Sequence, residues 1–187
     1  SFPTRRSSDL VAEMYQTPEP VDEKNIISIN DKSFEINVNG TDFIWYETPG
    51  HASHHFSFMM LKNRIMFCGD SAGMFIPGLN DAMVPTTPHP YRIESGIDSI
   101  NIMIQQKPEK LAFAHHAIRP NAEMLLKKHI DQLQAWEICV RNCVKNGIND
   151  EEDIAVELSG VDEEAGRLFR QSRSEEHTSE LQSPVTI

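Results

Sequence analysis

Three residues that could bind a metal ion stand where predicted strands end. His51 follows a Pro-Gly turn after one strand, Asp70 closes a second strand in the run Cys-Gly-Asp, and His115 follows a third strand. Loops at the ends of core strands are where a rigid scaffold presents reactive groups. Two imidazoles and one carboxylate suit a divalent ion such as zinc, with the carboxylate preferably shared between two ions. The alternative is that the histidines are solvated loop residues and that Asp70 caps a turn.

Six short apolar or alternating stretches predict the strands that would carry these residues. They are Ile26–Ile29, Phe34–Val38, Phe43–Tyr46, Phe56–Leu61, Arg64–Phe67 and Leu111–Ala114. Asn39-Gly40 and Lys62-Asn63 provide turns between neighbouring strands. Residues 11–25 read as a connector. Residues 71–90, with four prolines and two glycines, read as a long loop, which in a compact domain is more often functional than idle.

Helical signals follow the strands. Ile93, Ile97, Ile100 and Ile104 fall at i, i+4, i+7 and i+11, which predicts one apolar stripe on a helix. A long helix is predicted from Asn121, a candidate N-cap, to Gly147, a candidate C-terminal stop. Its buried side is predicted to hold Leu125, Leu133, Trp136, Val140 and Cys143. Residues 150–171 predict two short acidic helices, and the order of elements indicates a layered α/β or α+β arrangement.

The composition excludes some classes of function. The formal net charge is -11, and so acidic a surface disfavours non-specific binding to nucleic acids or to anionic membranes. A hydrophobic content of 39% and a charged content of 24% are ordinary for a soluble globular domain. No apolar run approaches the length that spans a membrane. The chain length fits one domain, or part of a larger one.

Two motifs together resemble the metallo-β-lactamase superfamily of binuclear metallohydrolases. They are Thr-Pro-Gly-His-Ala-Ser-His-His at residues 48–55 and Phe-Cys-Gly-Asp-Ser-Ala-Gly at residues 67–73. The resemblance implies that His51 binds one metal ion, that Asp70 bridges two ions, and that His115 completes the second site. It covers roughly residues 18–146. It implies an α/β chain, in the α+β class, with the four-layer αβ/βα fold of that superfamily. This sequence would hold roughly the second half of that fold.

The sequence departs from that family in one important respect. The HxHxDH motif, which supplies most of the family's metal ligands upstream of TPGH, occurs nowhere in this chain. By the resemblance, one ion keeps His51 and Asp70 and the other keeps Asp70 and His115. Two protein ligands per ion are fewer than the three or four of a stable zinc site. The chain by itself is therefore expected to bind metal weakly and to expose apolar surface.

Other histidines near the motifs are weaker candidates. His54 and His55 would share a helical face with His51, at i+3 and i+4, but the superfamily generally does not use these positions as ligands. They are predicted to contact the ligands or the pocket, with plain surface residues as the alternative. His116 is the alternative to His115, because neighbours in a strand point to opposite faces and only one would face the site.

The cysteines and one further histidine complete the candidates. Cys68 could be a soft metal ligand beside Asp70, but a core position is preferred. Cys139 and Cys143 are one helical turn apart and are predicted to pack in the core. The three cysteines form no disulfide framework, which fits a reducing, cytoplasmic compartment. His89, in the proline-rich loop, is a candidate for contact with substrate.

The resemblance predicts a metal-dependent hydrolase. Two divalent ions, zinc by preference and iron or manganese as alternatives, would activate hydroxide for attack on an ester, thioester, lactone, amide or phosphodiester. In this prediction Asp70 is the catalytic residue, because it binds both metal ions. The molecule that the protein binds is a small-molecule substrate. The alternative is a non-catalytic α/β domain that binds a ligand or a protein partner. The oligomeric state is not predicted by the sequence.

The two ends of the chain resemble in-frame translations of common sequencing adapters. The codons AGA TCG GAA GAG CAC ACG TCT GAA CTC CAG encode the ten residues from Arg173 to Gln182. Natural polar termini are the alternative. The domain prediction is therefore an adapter-derived segment at 1–10, a partial metallo-β-lactamase domain at 11–147, a helical extension at 148–171 and a second adapter-derived segment at 172–187.

Overall fold

The computed structural model describes residues 20–26, 33–76, 82–88, 90–115 and 117–171. The chain divides into two units, residues 1–30 and 31–187. In the first unit, the described part holds a single 3₁₀ turn, Glu23–Asn25, whose N-cap Asp22 accepts a hydrogen bond from the backbone N–H of Lys24. The predicted strand Ile26–Ile29, apart from Ile26, and most of the predicted connector lie outside the described residues, as do the two terminal segments at 1–10 and 172–187.

The second unit contains a mixed six-stranded sheet. Its strands are β1 (Ser33–Val38), β2 (Thr41–Glu47), β3 (Phe56–Met60), β4 (Ile65–Gly69), β7 (Lys110–Phe113) and β8 (Ala117–Pro120). They lie in the order β1-β2-β3-β4-β7-β8. All neighbours pair antiparallel except β4 and β7, which are parallel. The five predicted strands that fall on described residues are confirmed, and the α+β class with them.

The segment predicted to be a long loop contains a second, smaller sheet. Strands β5 (Met74–Ile76) and β6 (Ala82–Val84) pair antiparallel within residues 71–90. Three-residue strands between prolines show too little alternation to be detected as a pattern. Strand β8 was not predicted either, because its sequence, Ala-Ile-Arg-Pro, ends in a residue that cannot donate to a ladder and that is confined to edges.

The unit also contains three helices: α1 (Ile93–Gln105), α2 (Ala122–Lys145) and α3 (Glu151–Val161). Residues of α1 and α2 pack with the sheet in one core, and α3 packs against α2. Residues 163–171 are also helical, so the two acidic helices predicted at 150–171 are confirmed. Asn121 does occupy the N-cap position of α2, but its side chain makes no capping hydrogen bond. Its φ of 60° places it in the left-handed region, which asparagine tolerates better than most residues.

The buried stripe of α2 is more polar than its apolar spacing indicated. Leu133 and Cys143 are buried as predicted, whereas Leu125, Trp136 and Val140 are only half-buried. His129 and Gln132 are buried in the same stripe. Burial requires polar partners inside the protein. Gln132 Nε2 donates to the carbonyl oxygen of Met83 and to the carboxylates of Asp162 and Glu164, whereas Nδ1 of His129 has no hydrogen-bond partner.

The two faces of the sheet differ. Met59, Met66 and Cys68 face the helices and pack with Ile100 of α1 and Leu126 of α2 in one hydrophobic core. The opposite face carries a row of half-buried aromatic side chains in which the Phe58 ring stacks on those of Trp45 and Phe67. No helix among the described residues is both long and apolar enough to cross a membrane.

Candidate metal centre

Three strand ends bring the predicted ligands to one edge of the sheet. Strands β2, β4 and β7 run in the same direction, because β2 and β4 are both antiparallel to β3 and β4 is parallel to β7. His51 lies in the loop after β2, Asp70 follows the last residue of β4, and His115 follows β7. Carboxyl ends of parallel strands are where open sheets carry their binding sites. The fold therefore places all three side chains at one location.

The carboxylate of Asp70 lies between two imidazoles. Its Oδ2 is 3.9 Å from Nε2 of His51, and its Oδ1 is 3.3 Å from Nε2 of His115. Each oxygen therefore faces a different histidine. This arrangement suits a carboxylate shared between two ions, because each of its oxygens has an imidazole beside it.

The backbone of Asp70 is held separately from its side chain. The N–H of Asp70 donates to Nε2 of His55 at 3.3 Å. Its carbonyl oxygen accepts a hydrogen bond from Oγ1 of Thr86 at 2.6 Å. The carboxylate oxygen Oδ1 is buried and accepts no hydrogen bond, although Nε2 of His115 lies 3.3 Å from it. A buried carboxylate oxygen without a donor is costly unless a cation satisfies it, so the residues present fit a divalent ion.

The ring of His51 is oriented by the loop that follows β6. Its Nδ1 lies 3.4 Å from the carbonyl oxygen of Thr86. A carbonyl can only accept, so Nδ1 is the donor in this contact, and Nε2 is the ring nitrogen on the side of Asp70. Metal-binding histidines commonly use a backbone carbonyl in this way. Thr86 thus contacts two of the three candidate ligands, His51 and Asp70. Nothing in the sequence indicated these contacts, because Thr86 is an ordinary threonine in a proline-rich segment.

His55 contacts Asp70 rather than standing apart as a surface residue. Its Nδ1 lies 2.9 Å from Oγ1 of Thr48, on the side of the ring opposite Asp70. Burial lowers the pKa of His55 below its usual value, and the nearby His51 lowers it further. The ring therefore favours the neutral form, which has one nitrogen that donates and one that accepts.

The structure shows no contact between the remaining candidate residues that it describes and the Asp70 carboxylate. The side chain of His54 is exposed, and no contact of it with Asp70 is found within the described residues. His89 and His116 lie outside the described residues, so the choice between His115 and His116 stays a prediction. Cys68 is fully buried and its Sγ donates to the carbonyl oxygen of Ala112. Burial raises the pKa of the Cys68 thiol to about 12.

No three His, Cys, Asp or Glu side chains of the described ranges are grouped closely enough to hold one ion. The site consists of two pairs that share Asp70: His51 with Asp70, and Asp70 with His115. Further ligands for each ion would have to come from water or from residues beyond these three.

The comparisons with known proteins agree in the family they point to. The family model described as the Metallo-beta-lactamase superfamily matches residues 2–115. The metallo-beta-lactamase fold-containing protein ST1585 of Sulfurisphaera tokodaii is 29% identical over 146 residues, covering 76% of this chain and 53% of that protein. The chain therefore spans about half the length of the curated relative it matches.

Solved structures show the same likeness. The crystal structure of the archaeal metallo-beta-lactamase superfamily protein ST1585 from Sulfolobus tokodaii is similar with a TM-score of 0.54 and 27% identity, over 66% of this chain and 45% of that one. The inverting sec-alkylsulfatase Pisa1 from Pseudomonas sp. is similar in fold alone, with a TM-score of 0.55 at 16% identity, over 74% of this chain and 22% of that one.

Proposed function

The chain belongs to the metallo-β-lactamase superfamily, and from that premise we propose that it forms part of a metal-dependent hydrolase. The substrate is a small molecule with an ester, thioester, lactone, amide or phosphodiester group. Two divalent ions are the cofactors, zinc by preference, with iron or manganese as alternatives. The described cysteines are all free thiols, which supports a reducing, cytoplasmic compartment.

One observation carries the proposal: the two oxygens of the Asp70 carboxylate face two different imidazoles. A carboxylate that only capped a turn would receive backbone N–H groups, and Asp70 Oδ1 receives none. The contacts therefore favour a shared metal ligand over the capping alternative.

Each residue of the site has a separate task. His51 would hold one ion, with its ring fixed by the Thr86 carbonyl. His115 would hold the other ion, and Asp70 would be shared between the two. Bound divalent ions supply Lewis acidity, which makes water reactive near neutral pH and stabilises negative charge that develops on the substrate.

The first test is the reading frame upstream of residue 11. If it encodes an HxHxDH motif, the hydrolase proposal gains the ligands that complete both metal sites. If a complete natural N-terminus lacks that motif, the alternative of a non-catalytic binding domain replaces the hydrolase.

The second test is elemental analysis of a version that carries the motif. The parent is expected to hold two ions per chain after dialysis, and Asp70→Asn is expected to lose the shared ligand and at least one ion. Asp131→Asn, an exposed aspartate on α2, is the matched control and should retain both ions. Two tightly held ions in Asp70→Asn would refute the assignment.

A further inference from the structure

Both ring nitrogens of His55 are engaged by the protein itself. A backbone N–H can only donate, so the contact from Asp70 N–H to His55 Nε2 makes Nε2 the acceptor. A neutral imidazole carries a single proton, which must then lie on Nδ1 and be donated to Oγ1 of Thr48. The geometry thus fixes one tautomer.

The hydrogen bonds continue in one direction from His55. Because Thr48 Oγ1 accepts from His55, its own proton is available for Oγ of Ser57 at 2.9 Å. Ser57 Oγ in turn donates to the carbonyl oxygen of Cys68 at 3.5 Å. Thr48 and Ser57 are both fully buried, so no water competes for these groups. The ring of His55 is therefore connected to the chain on either side of Gly69, at Cys68 and at Asp70.

Gly69 makes room for this ring. A Cβ at residue 69 would collide with Nε2 of His55, and the φ of Gly69 is +52°, a conformation that suits glycine. The pairing of β4 with β7 is also irregular between Phe67 and Gly69. The irregularity turns the chain out of the sheet at Asp70, and His55 occupies the space beside that turn.

We propose that His55 is a positioning residue that fixes the backbone of Asp70, and that it is not a metal ligand, because both of its nitrogens are committed to the protein. The proposal rests on the proposed function only in taking Asp70 as the shared metal ligand. The role of His55 is to set the direction of the Asp70 carboxylate before any ion binds.

Nuclear magnetic resonance of the metal-free chain tests the geometry without any metal or substrate. The ring nitrogens of His55 should show a single tautomer with the proton on Nδ1, whereas exposed His54 serves as the internal comparison and should average between tautomers. A proton on Nε2 of His55, or a tautomer average like that of His54, would overturn the proposal. This result is independent of whether the chain binds metal.

Substitutions test the consequence for Asp70. His55→Gln retains an acceptor that reaches the Asp70 N–H, whereas His55→Ala retains none. Circular dichroism establishes that each variant is folded. The Asp70 amide should lose protection from hydrogen exchange in His55→Ala and regain most of it in His55→Gln. Equal protection in the parent and in His55→Ala would contradict the positioning role.

The affinity for zinc alone, measured by competition with a chromophoric chelator, links His55 to the metal. His55→Ala should weaken binding about 10- to 100-fold, the usual effect of losing a group that orients a ligand, and His55→Gln should restore most of it. Ser53→Ala, an exposed residue of the same loop, should match the parent. If the His55→Gln and His55→Ala variants bind zinc equally weakly, the proposal fails. In the version that carries the HxHxDH motif, a parent that binds no zinc would refute the proposed function, and the tautomer and exchange results would still decide the role of His55.

Discussion

Gly50 and Gly96 are in backbone contact: a Cβ built on Gly50 would stand 2.8 Å from the Cα of Gly96. The contact joins the loop that carries His51 to the first turn of α1. The hydroxyl of Ser99, on the next turn of α1, also donates to the carbonyl oxygen of Pro49. The position of His51 therefore depends on close packing against α1, and only the absence of a side chain at residue 50 permits it.

Gly50→Ala should destabilise the fold and displace His51, because the added methyl meets backbone atoms that cannot rotate away. Overpacking of this kind costs roughly 1–3 kcal/mol. Gly160→Ala is the control, since a Cβ at that helical glycine has open space and should stabilise α3 by up to about 1 kcal/mol. Urea unfolding measures both changes, and an unchanged midpoint for Gly50→Ala would contradict the contact.

Thr86→Val should loosen Asp70, because it removes the hydroxyl that donates to the Asp70 carbonyl at 2.6 Å while keeping the shape of the side chain. The loss of one hydrogen bond is worth about 1 kcal/mol. Thr87→Val, at the exposed neighbouring threonine, should change stability by less than about 0.5 kcal/mol. The difference between the two variants in urea unfolding is the measurement. Equal stability of the two would show that the Thr86 hydroxyl has no effect.

Asp162→Ala should detach the C-terminal helices from α2. The buried carboxylate of Asp162 accepts hydrogen bonds from Gln132 Nε2 at 3.1 Å and from Trp136 Nε1 at 2.9 Å. Its other oxygen accepts hydrogen bonds from the backbone N–H groups of Glu164 and Ala165, so Asp162 caps the N-terminus of the helix at residues 163–171. Losing the cap and leaving Nε1–H of Trp136 without an acceptor should together cost about 2–4 kcal/mol.

Hydrogen exchange of residues 151–171 measures that loss locally, because detached helices would exchange faster than the sheet. Glu163→Ala is the matched control, since the neighbouring Glu163 side chain is 85% exposed and pairs only distantly with Arg167 at 3.9 Å. Faster exchange in Glu163→Ala and unchanged exchange in Asp162→Ala would reverse the assignment.

Acid should destabilise the fold through His129. Burial lowers the pKa of His129 from 6.5 to about 4, and the side chain is 2% exposed. Between those two values the unfolded chain binds a proton and the folded chain does not, so stability falls as the pH falls from 6.5 to about 4 and is unaffected by this group above 6.5. The full difference corresponds to about 3 kcal/mol.

His129→Leu removes that titration and also the buried Nδ1 that has no hydrogen-bond partner. Its free energy of unfolding should therefore depend less on pH between 4 and 6.5 than that of the parent. Gln134→Leu, at an exposed residue of α2 that does not titrate, should leave the parent's dependence unchanged. Denaturant unfolding at several pH values measures the slopes, and parallel curves for the parent and His129→Leu would contradict the assignment.

Local sequence patterns were sufficient for most of the secondary structure. Alternating residues predicted β1 to β4, and the isoleucine stripe predicted α1, because each pattern reflects the period of its own element. The same reasoning missed β5, β6 and β8, since strands of three or four residues beside prolines carry too few residues to show a period. It also missed the buried polar residues His129 and Gln132 of α2, because the hydrogen-bond partners of Gln132 lie on β6 and beyond α3, far from it in the chain.

The sequence by itself determined which residue types stand at the strand ends, including His51, Asp70 and His115, because a strand and the residues that end it are adjacent in the chain. Only the tertiary structure decided that both oxygens of Asp70 face imidazoles. It also decided that Thr86 donates to the Asp70 carbonyl oxygen and that His55 accepts a hydrogen bond from the Asp70 N–H. These contacts join residues far apart in the chain. They depend on the order and direction in which strands pair, which is set by packing of the whole sheet against α1 and α2 rather than by any local preference.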